Sequence, residues 1–497
     1  MAGLGDVSDV LRGAGASLAG FSGRLVARTV LMIIAGRAFG IEALGVLAQV
    51  AAVTEIAAAI GVMGLKRGLL DILSFEEKNG RAPQPCIIEA LGVALVFSIM
   101  ISAILLVIWR IILPHEAGLA TLMFFAVPAI VFTDVSLSAI KHKRIIGWDV
   151  WSRGVAEPWG FLGLTLAFLA LGVTGYGLII AYVGSIFIAA ALSAIGLARS
   201  YGLRTLVGSR PSLSRALTIP QKSIPIGITD IGVMALRRVD LIVLSIFAGA
   251  EGAGLYYMVQ QLATIPQKTF ALFEPMLSPV IARLHNHLDA KKIRANLVGV
   301  CRWVLIIQLA ISIPMMVFGD ALLEIFGSSF ALGATVLVII LFAELVDGSF
   351  LAVETPLVYA RPGLPPKLIG AVLLLEISLI AALSQLWGAE GAAVGFLITM
   401  IALAAGRLLM AKKYLDIAVL NISYFTPLAL AALTAGALLL TRWRIAPDQG
   451  VMIGVLMVAS VVIFLSLIGK FALTKTDKIL MDAFLLHRRR KRRLASI

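Results

Sequence analysis

The stretch Ala235–Met258, "ALRRVDLIVLSIFAGAEGAGLYYM", places Arg237, Arg238 and Asp240 in line with a run of Leu, Ile, Val and Phe. Everything around these charges suits lipid, so the reading of the segment turns on whether the whole chain does too. It does: 60% of the 497 residues are hydrophobic and 14% charged, whereas a soluble domain is nearer half apolar and a quarter charged. Apolar runs of roughly 20 residues, the length that crosses a hydrocarbon core, recur from residue 17 to residue 470, and no polar block between them is long enough for a soluble domain. The pattern is that of an all-α integral membrane protein.

Working outward, the apolar runs and their Gly, Pro and charged punctuation predict about fourteen transmembrane helices. They fall at residues 17–39, 43–65, 87–109, 118–140, 154–172, 176–198, 222–247, 253–281, 297–319, 331–355, 367–387, 390–411, 421–441 and 449–470. A proline removes one ladder hydrogen bond and crowds the preceding turn, so the eighth helix is expected to bend near Pro266 or Pro275. Asp6 and Asp9 stand where a cleaved signal would be basic, and the first helix is therefore expected to be retained.

The loops alternate in character. One set is basic, with Lys66, Arg67, Lys78 and Arg81, then Lys141, Lys143 and Arg144, then Arg199 to Arg215, Arg283 to Arg294, Arg361 and Lys367, and Lys412 and Lys413. The other holds little beyond Arg37, Arg110, Arg442 and Arg444. The positive-inside rule makes the basic set cytoplasmic. Both termini are then inside, as an even number of spans requires. Cys86 and Cys301 lie toward that reducing side, which argues against a disulfide. The net charge of +14 is thus mostly a topology signal, and the tail "HRRRKRR" (His487–Arg493) reads as a stop-transfer or anionic-lipid anchor with no nucleic acid as partner.

The opening stretch has a counterpart 209 residues earlier, "RTVLMIIAGRAFGIEALGVLAQV" (Arg28–Val50), which aligns Arg28 with Arg237, Gly40 with Gly249, Glu42 with Glu251, Gly45 with Gly254 and Val50 with Val259. Six spans separate the copies, so both have the same orientation and imply two pseudo-symmetric six-helix lobes related by an axis along the membrane normal. The expected organisation is a lobe at 1–198, a cytoplasmic linker at 199–221, a second lobe at 222–414, two further helices at 415–470 and a basic tail at 471–497.

Arg28 and Arg237 lie roughly 16 to 22 Å into their helices at 1.5 Å per residue, which is mid-bilayer. An arginine facing lipid there costs about 2.5 to 3.5 kcal/mol on insertion scales. Arg24 shares a face of the first helix with Arg28. Asp230 and Arg238 cluster with Arg237 on the seventh, and Gln260, Thr264, Gln267 and Lys268 share a face of the eighth. Basic groups outnumber the acids on these helices, a surface suited to an anion. The competing reading is that the arginines pair with Asp230 and Asp240 as internal glue.

The segments "AGRAFGIEALGVLAQV" and "RRVDLIVLSIFAGAEGAGLYYMVQQLATIP" resemble the polysaccharide flippases, the Wzx-type branch of the MOP exporter superfamily, and the resemblance extends through all fourteen spans. It implies a two-lobed transporter that moves undecaprenyl-diphosphate-linked oligosaccharide to the outer leaflet by alternating access. It also implies a cationic cavity between the lobes, onto which Arg24, Arg28, Arg237 and Lys268 map, with Arg238 and Gln260 beside them. The lipid bilayer, a polysaccharide polymerase and glycosyltransferases are the implied partners. Forked guanidiniums suit a diphosphate, which they hold bidentately. The lipid II flippase, of the same architecture, stays open as an alternative substrate class.

A multidrug exporter of that superfamily carries cations, for which a basic cavity has the wrong sign. A polytopic glycan-handling enzyme would need acids, a metal or a sizeable outer loop, and no D-x-D, H-E-x-x-H or P-loop pattern occurs. The five histidines fall in loops or the tail, and "HNH" at 285–287 lacks a nearby third ligand, so no enzyme activity, metal or cofactor is expected. Glu344, Asp347 and Glu354 form an acidic stripe on the tenth helix, with Glu376 on the next. Intramembrane carboxylates mark ion pathways, which makes these four the candidates for proton or sodium coupling. The alternative is that they pair with Arg407 to hold the C-terminal lobe together.

Overall fold

A computed structural model describes residues 23–112, 118–274, 277, 280–281, 290–445, 450–473 and 477. Lipid offers no partner for backbone N–H and C=O groups, so a chain this apolar must satisfy them within helices; among the described residues there is no strand. Nine stretches of the described chain are long and apolar enough to cross a membrane, one of them, Leu364–Leu415, holding two predicted spans.

In chain order the helices are α1 (23–38), α2 (Gly40–Val62), α3 (Leu65–Lys78), α4 (Pro83–Ile112), α5 (Ala126–His142), α6 (Glu157–Ala170), α7 (Gly177–Tyr201), α8 (Leu213–Leu236), α9 (Val239–Gln267), α10 (Ala290–Val317), α11 (Ala334–Phe350), α12 (Glu354–Ala360), α13 (Leu364–Leu415), α14 (Phe425–Ile445) and α15 (Gly450–Leu467). Most follow the predicted spans, but α3 lies where the sequence predicts a basic loop. The predicted basic tail from His487 and the segment with His285, His287 and Pro275 lie outside the described residues.

The departures from regularity are local. The predicted seventh span is not continuous: it breaks at Arg237 and Arg238, whose amides bond back three residues to Met234 and Ala235, and it resumes as α9 until Gly249 (φ 66°) interrupts the helix again. Gly40 (φ 85°), its partner under the 209-residue offset, also has a positive φ, which a Cβ would strain. α9 gives way to a 3₁₀ turn, Lys268–Leu272, just past Pro266. The predicted eleventh and twelfth spans are both contained in α13, joined through non-helical Trp387 and Gly388. A π-turn, Val150–Ala156, leads into α6.

By its internal contacts the chain forms two compact units. The first comprises residues 1–258, 324–330 and 369–392. Its centre is α5, which packs on α2, α3, α4 and α7. In a bilayer, helices associate through close packing of small residues and interhelical hydrogen bonds rather than by escape from water. α5 accordingly buries Ala126, Ala129, Thr133, Ser136, Ser138 and Ala139, and Ser138 donates to the Lys66 carbonyl at 3.0 Å. α4 instead exposes Val96, Ile99, Met100, Ile104 and Val107, a lipid-facing side. The Arg199–Lys222 segment is clamped to α4, because the buried Glu89 carboxylate accepts from Arg215 Nε and Nη2 and from the Ser212 amide, all at 2.6 Å.

The second unit comprises residues 259–323, 331–368 and 393–497. Here α10 is central and packs on α11, α14 and α15, with Cys301, Val304, Ile306 and Leu309 in its core. Arg302 and Trp303 of α10 both hold Asp477, fastening the chain beyond the last span. Cys86 and Cys301 are buried free thiols.

Candidate functional site

The first unit gathers charge from α1, α2, α3, α5, α6, the π-turn and the break between α8 and α9. Arg24 is exposed and Arg28 half-buried, and among the described residues neither makes a hydrogen bond or an ion pair. Glu157, Arg153 and Glu55 nevertheless lie within electrostatic reach of Arg24. Exposed, yet with charges of α2, α6 and the π-turn within its reach, Arg24 marks a charged crevice within the first unit. Arg238, at the break between α8 and α9, donates through Nε to Glu55 Oε2 at 2.6 Å, with Tyr182, Tyr257 and Asp240 beside it. Arg153 projects from the π-turn to Asp134 (2.5 Å) and Glu157 (3.0 Å), and Lys66 approaches Asp134 at 3.9 Å.

The crevice is thus less one-sided than helices 1, 7 and 8 of the sequence suggest. Four guanidiniums, Arg24, Arg28, Arg153 and Arg238, stand against three carboxylates, Glu55, Asp134 and Glu157. Asp230, expected to cluster with Arg237 and Arg238, pairs with Arg67 at 3.3 Å. Arg153, Glu55, Asp134 and Glu157 are absent from the sequence-based site. Their available signal was a lone charge within an apolar run, and Arg153 sits one residue before the predicted fifth span.

Glu376 belongs to the same unit. It is fully buried, neither carboxylate oxygen has a hydrogen-bond partner, and the charges within its reach are Asp240 and Arg237. Asp240, also fully buried, accepts from the Leu241 amide at 2.8 Å and the Tyr256 hydroxyl at 3.1 Å.

The other expected residues lie in the second unit. Gln260 is half-buried on α9, and Lys268 is exposed in the 3₁₀ turn. Gln267 donates to Glu344 Oε1 at 2.9 Å, and Gln308 donates to the carbonyls of Pro266 (3.2 Å) and Glu344 (3.3 Å). Asp347 and Glu354 are both held by Arg407, at 2.5 Å and 2.9 Å. The four predicted coupling carboxylates therefore divide: three are hydrogen-bonded in the second unit, and Glu376 stands in the first without a bond. The second unit also carries an apolar groove of about 310 Å³ between α9, α10 and α15, lined by Leu262, Ile265, Pro314, Met315 and Val461 among others.

Residues 10–285 match the family described as "Polysaccharide biosynthesis protein", and the chain belongs to that family. No curated protein matches it. Among solved structures it is similar to the lipid II flippase MurJ in an inward closed conformation, with 11% identity, 93% of this chain and 99% of that one covered, and a TM-score of 0.69. It is also similar to an inward-facing multidrug resistance MATE family transporter of the MOP superfamily, with 14% identity, 79% and 94% covered, and a TM-score of 0.60. A MOP superfamily transporter from Pyrococcus furiosus matches at 15% identity, 82% and 95% covered, and a TM-score of 0.52. At such identities these likenesses establish the fold, the all-α fold of MOP superfamily transporters.

Proposed function

We propose that this member of the polysaccharide biosynthesis family is a flippase that carries an undecaprenyl-diphosphate-linked oligosaccharide from the cytoplasmic to the outer leaflet by alternating access. The observation that carries this reading is the pair Arg24 and Arg28, two guanidiniums on one helix face with no ion pair among the described residues. Each would cost about 2.5 to 3.5 kcal/mol if it met only lipid, and a diphosphate with its several acceptor oxygens relieves that cost through charge-assisted bidentate bonds. A cationic drug would be repelled by the uncommitted arginines, which favours a transporter of anionic lipid over a multidrug exporter.

In this reading the protein resides in the bacterial inner membrane with both termini cytoplasmic, and it delivers its cargo from glycosyltransferases to a polymerase. Lipid II carries the same diphosphate and is the second reading, supported by the extent of the likeness to MurJ. In proteoliposomes, Arg28→Ala and Arg237→Ala should each lose most flipping of a fluorescent undecaprenyl-diphosphate-linked sugar, since a charge-assisted bond contributes about 1.5 to 3 kcal/mol. Arg→Lys should rescue partly. Undiminished flipping by the double variant would refute the reading, and flipping of lipid II in preference to an oligosaccharide lipid would select the second one.

A further inference from the structure

The ion pairs among the described residues differ in how far they are sealed. Asp347 and Arg407 are sealed, their side chains 1% and 6% exposed. Glu55 with Arg238 and Glu157 with Arg153 are open, with exposures between 20% and 27%. A sealed pair cannot change partners without leaving a bare buried charge, whereas an open one can, provided another counter-charge is at hand. At this crevice one is. Arg153 keeps Asp134 at 2.5 Å when Glu157 departs, and both Glu157 and Glu55 lie within reach of Arg24, which has no ion pair of its own. Arg238 is bound to Glu55 through Nε, and its side chain is 22% exposed.

We propose that Glu55 and Glu157 are exchangeable internal counter-ions that hold Arg238 and Arg153 while the crevice is empty and yield them to the substrate diphosphate on loading. A headgroup with about two negative charges then takes the place of the two carboxylates at Arg238 and Arg153, so these two guanidiniums face about the same charge loaded or empty. Release is completed by the carboxylates returning to their guanidiniums. This rests on the reading of the arginines as a diphosphate site and adds a competitor to it. Glu55 and Glu157 are positioning residues, set against tight binding and in favour of turnover.

The test uses the full-length protein in lipid nanodiscs with farnesyl diphosphate as the probe, alongside flipping in proteoliposomes. Glu55→Gln and Glu157→Gln should each bind the probe about tenfold more tightly, the scale of one charge-assisted contact, while flipping slows. A purely structural role would instead weaken binding and flipping together. Binding no tighter than wild type in both variants overturns the exchange. If wild type binds farnesyl diphosphate no better than farnesol, the diphosphate reading itself fails. If wild type binds, Arg28→Ala does not, and the two glutamine variants bind only as wild type does, the diphosphate site stands and the counter-ion role falls.

Discussion

Gly45 and Gly254 meet where α2 crosses α9, and each occupies the place in its own helix that the other occupies in its partner. A methyl group on Gly45 would lie 1.7 Å from the Ala250 carbonyl oxygen, and one on Gly254 would lie 2.0 Å from that of Ile41. Ala250 is offset from Ile41 by the same 209 residues as Gly254 from Gly45, so the two contacts exchange under the internal repeat. A local two-fold relation follows for this pair of helices, as expected of parallel helices related by an axis along the membrane normal. It is a backbone-to-backbone approach of the kind that small residues permit in lipid.

Because neither contact has a flexible side chain to give way, Gly45→Ala and Gly254→Ala should each part the helices. The cost should be about 1 to 3 kcal/mol, as for other overpacking, and read as a lowered melting temperature of the purified protein. Both changes separate the same crossing, so the double variant should cost clearly less than the two singles together. Full additivity would mean that the contacts are independent and the crossing is not shared.

The spans were legible because composition alone decides what crosses a bilayer, and the repeat because Gly40 and Gly249 must both take a positive φ. Arg24, Arg28, Arg237 and Arg238 were legible as charges in the wrong solvent. Their partners were not. Glu55 lies in "AVTEIAAA" and Glu157 in "VAEPWG", and only the packing of α2 and the π-turn-to-α6 segment decides that they turn toward arginines. Arg67 was read as a topology signal, yet the fold gives it Asp230, a carboxylate the sequence assigned to Arg237 and Arg238.

Arg407 is buried against Asp347 and Glu354, so removing one acid tests structure against coupling. Asp347→Asn leaves a buried guanidinium short of its nearer counter-charge and should destabilise by about 3 to 5 kcal/mol. Glu354→Gln, at the more exposed partner, should cost less. Wild-type stability in Asp347→Asn together with lost flipping would argue that the pair serves transport rather than assembly.

Asp320 lies outside the spans and accepts from Arg442 Nη2. Burial raises its carboxyl, but the Arg442 hydrogen bond and charge, with the Ala321 amide, bring it below its ordinary value of 3.8. A depressed acid contributes stability that is fully present above its unfolded value and lost as the pH falls through the folded one. Wild type should therefore lose melting temperature more steeply below about pH 4 than Asp320→Asn. Parallel profiles would remove Asp320 as a source of acid sensitivity.

Orientation can be read by thiol chemistry. Glu251, just after the Gly249 interruption, is exposed, whereas Cys301 is buried in α10. Glu251→Cys should react with a membrane-impermeant maleimide in intact spheroplasts, and native Cys301 should not. Labelling of Glu251→Cys only after lysis would invert the topology and the direction of transport with it.

Glu376 offers the sharpest test of coupling. Its carboxylate is fully buried without a hydrogen bond, in reach of Asp240 and Arg237. Bare charge is costly in such a medium, and a proton or a sodium ion would meet that of Glu376. Glu376→Gln removes that charge while keeping the shape. In proteoliposomes at fixed electrical potential, a proton or sodium gradient should change the flipping rate of wild type but not of Glu376→Gln. Coupling is not energetically compulsory, since moving about two negative charges outward across 100 mV, inside negative, is itself favoured by roughly 4.6 kcal/mol. A wild-type rate indifferent to both gradients would therefore leave the potential as the driving force and Glu376 without an ion to carry.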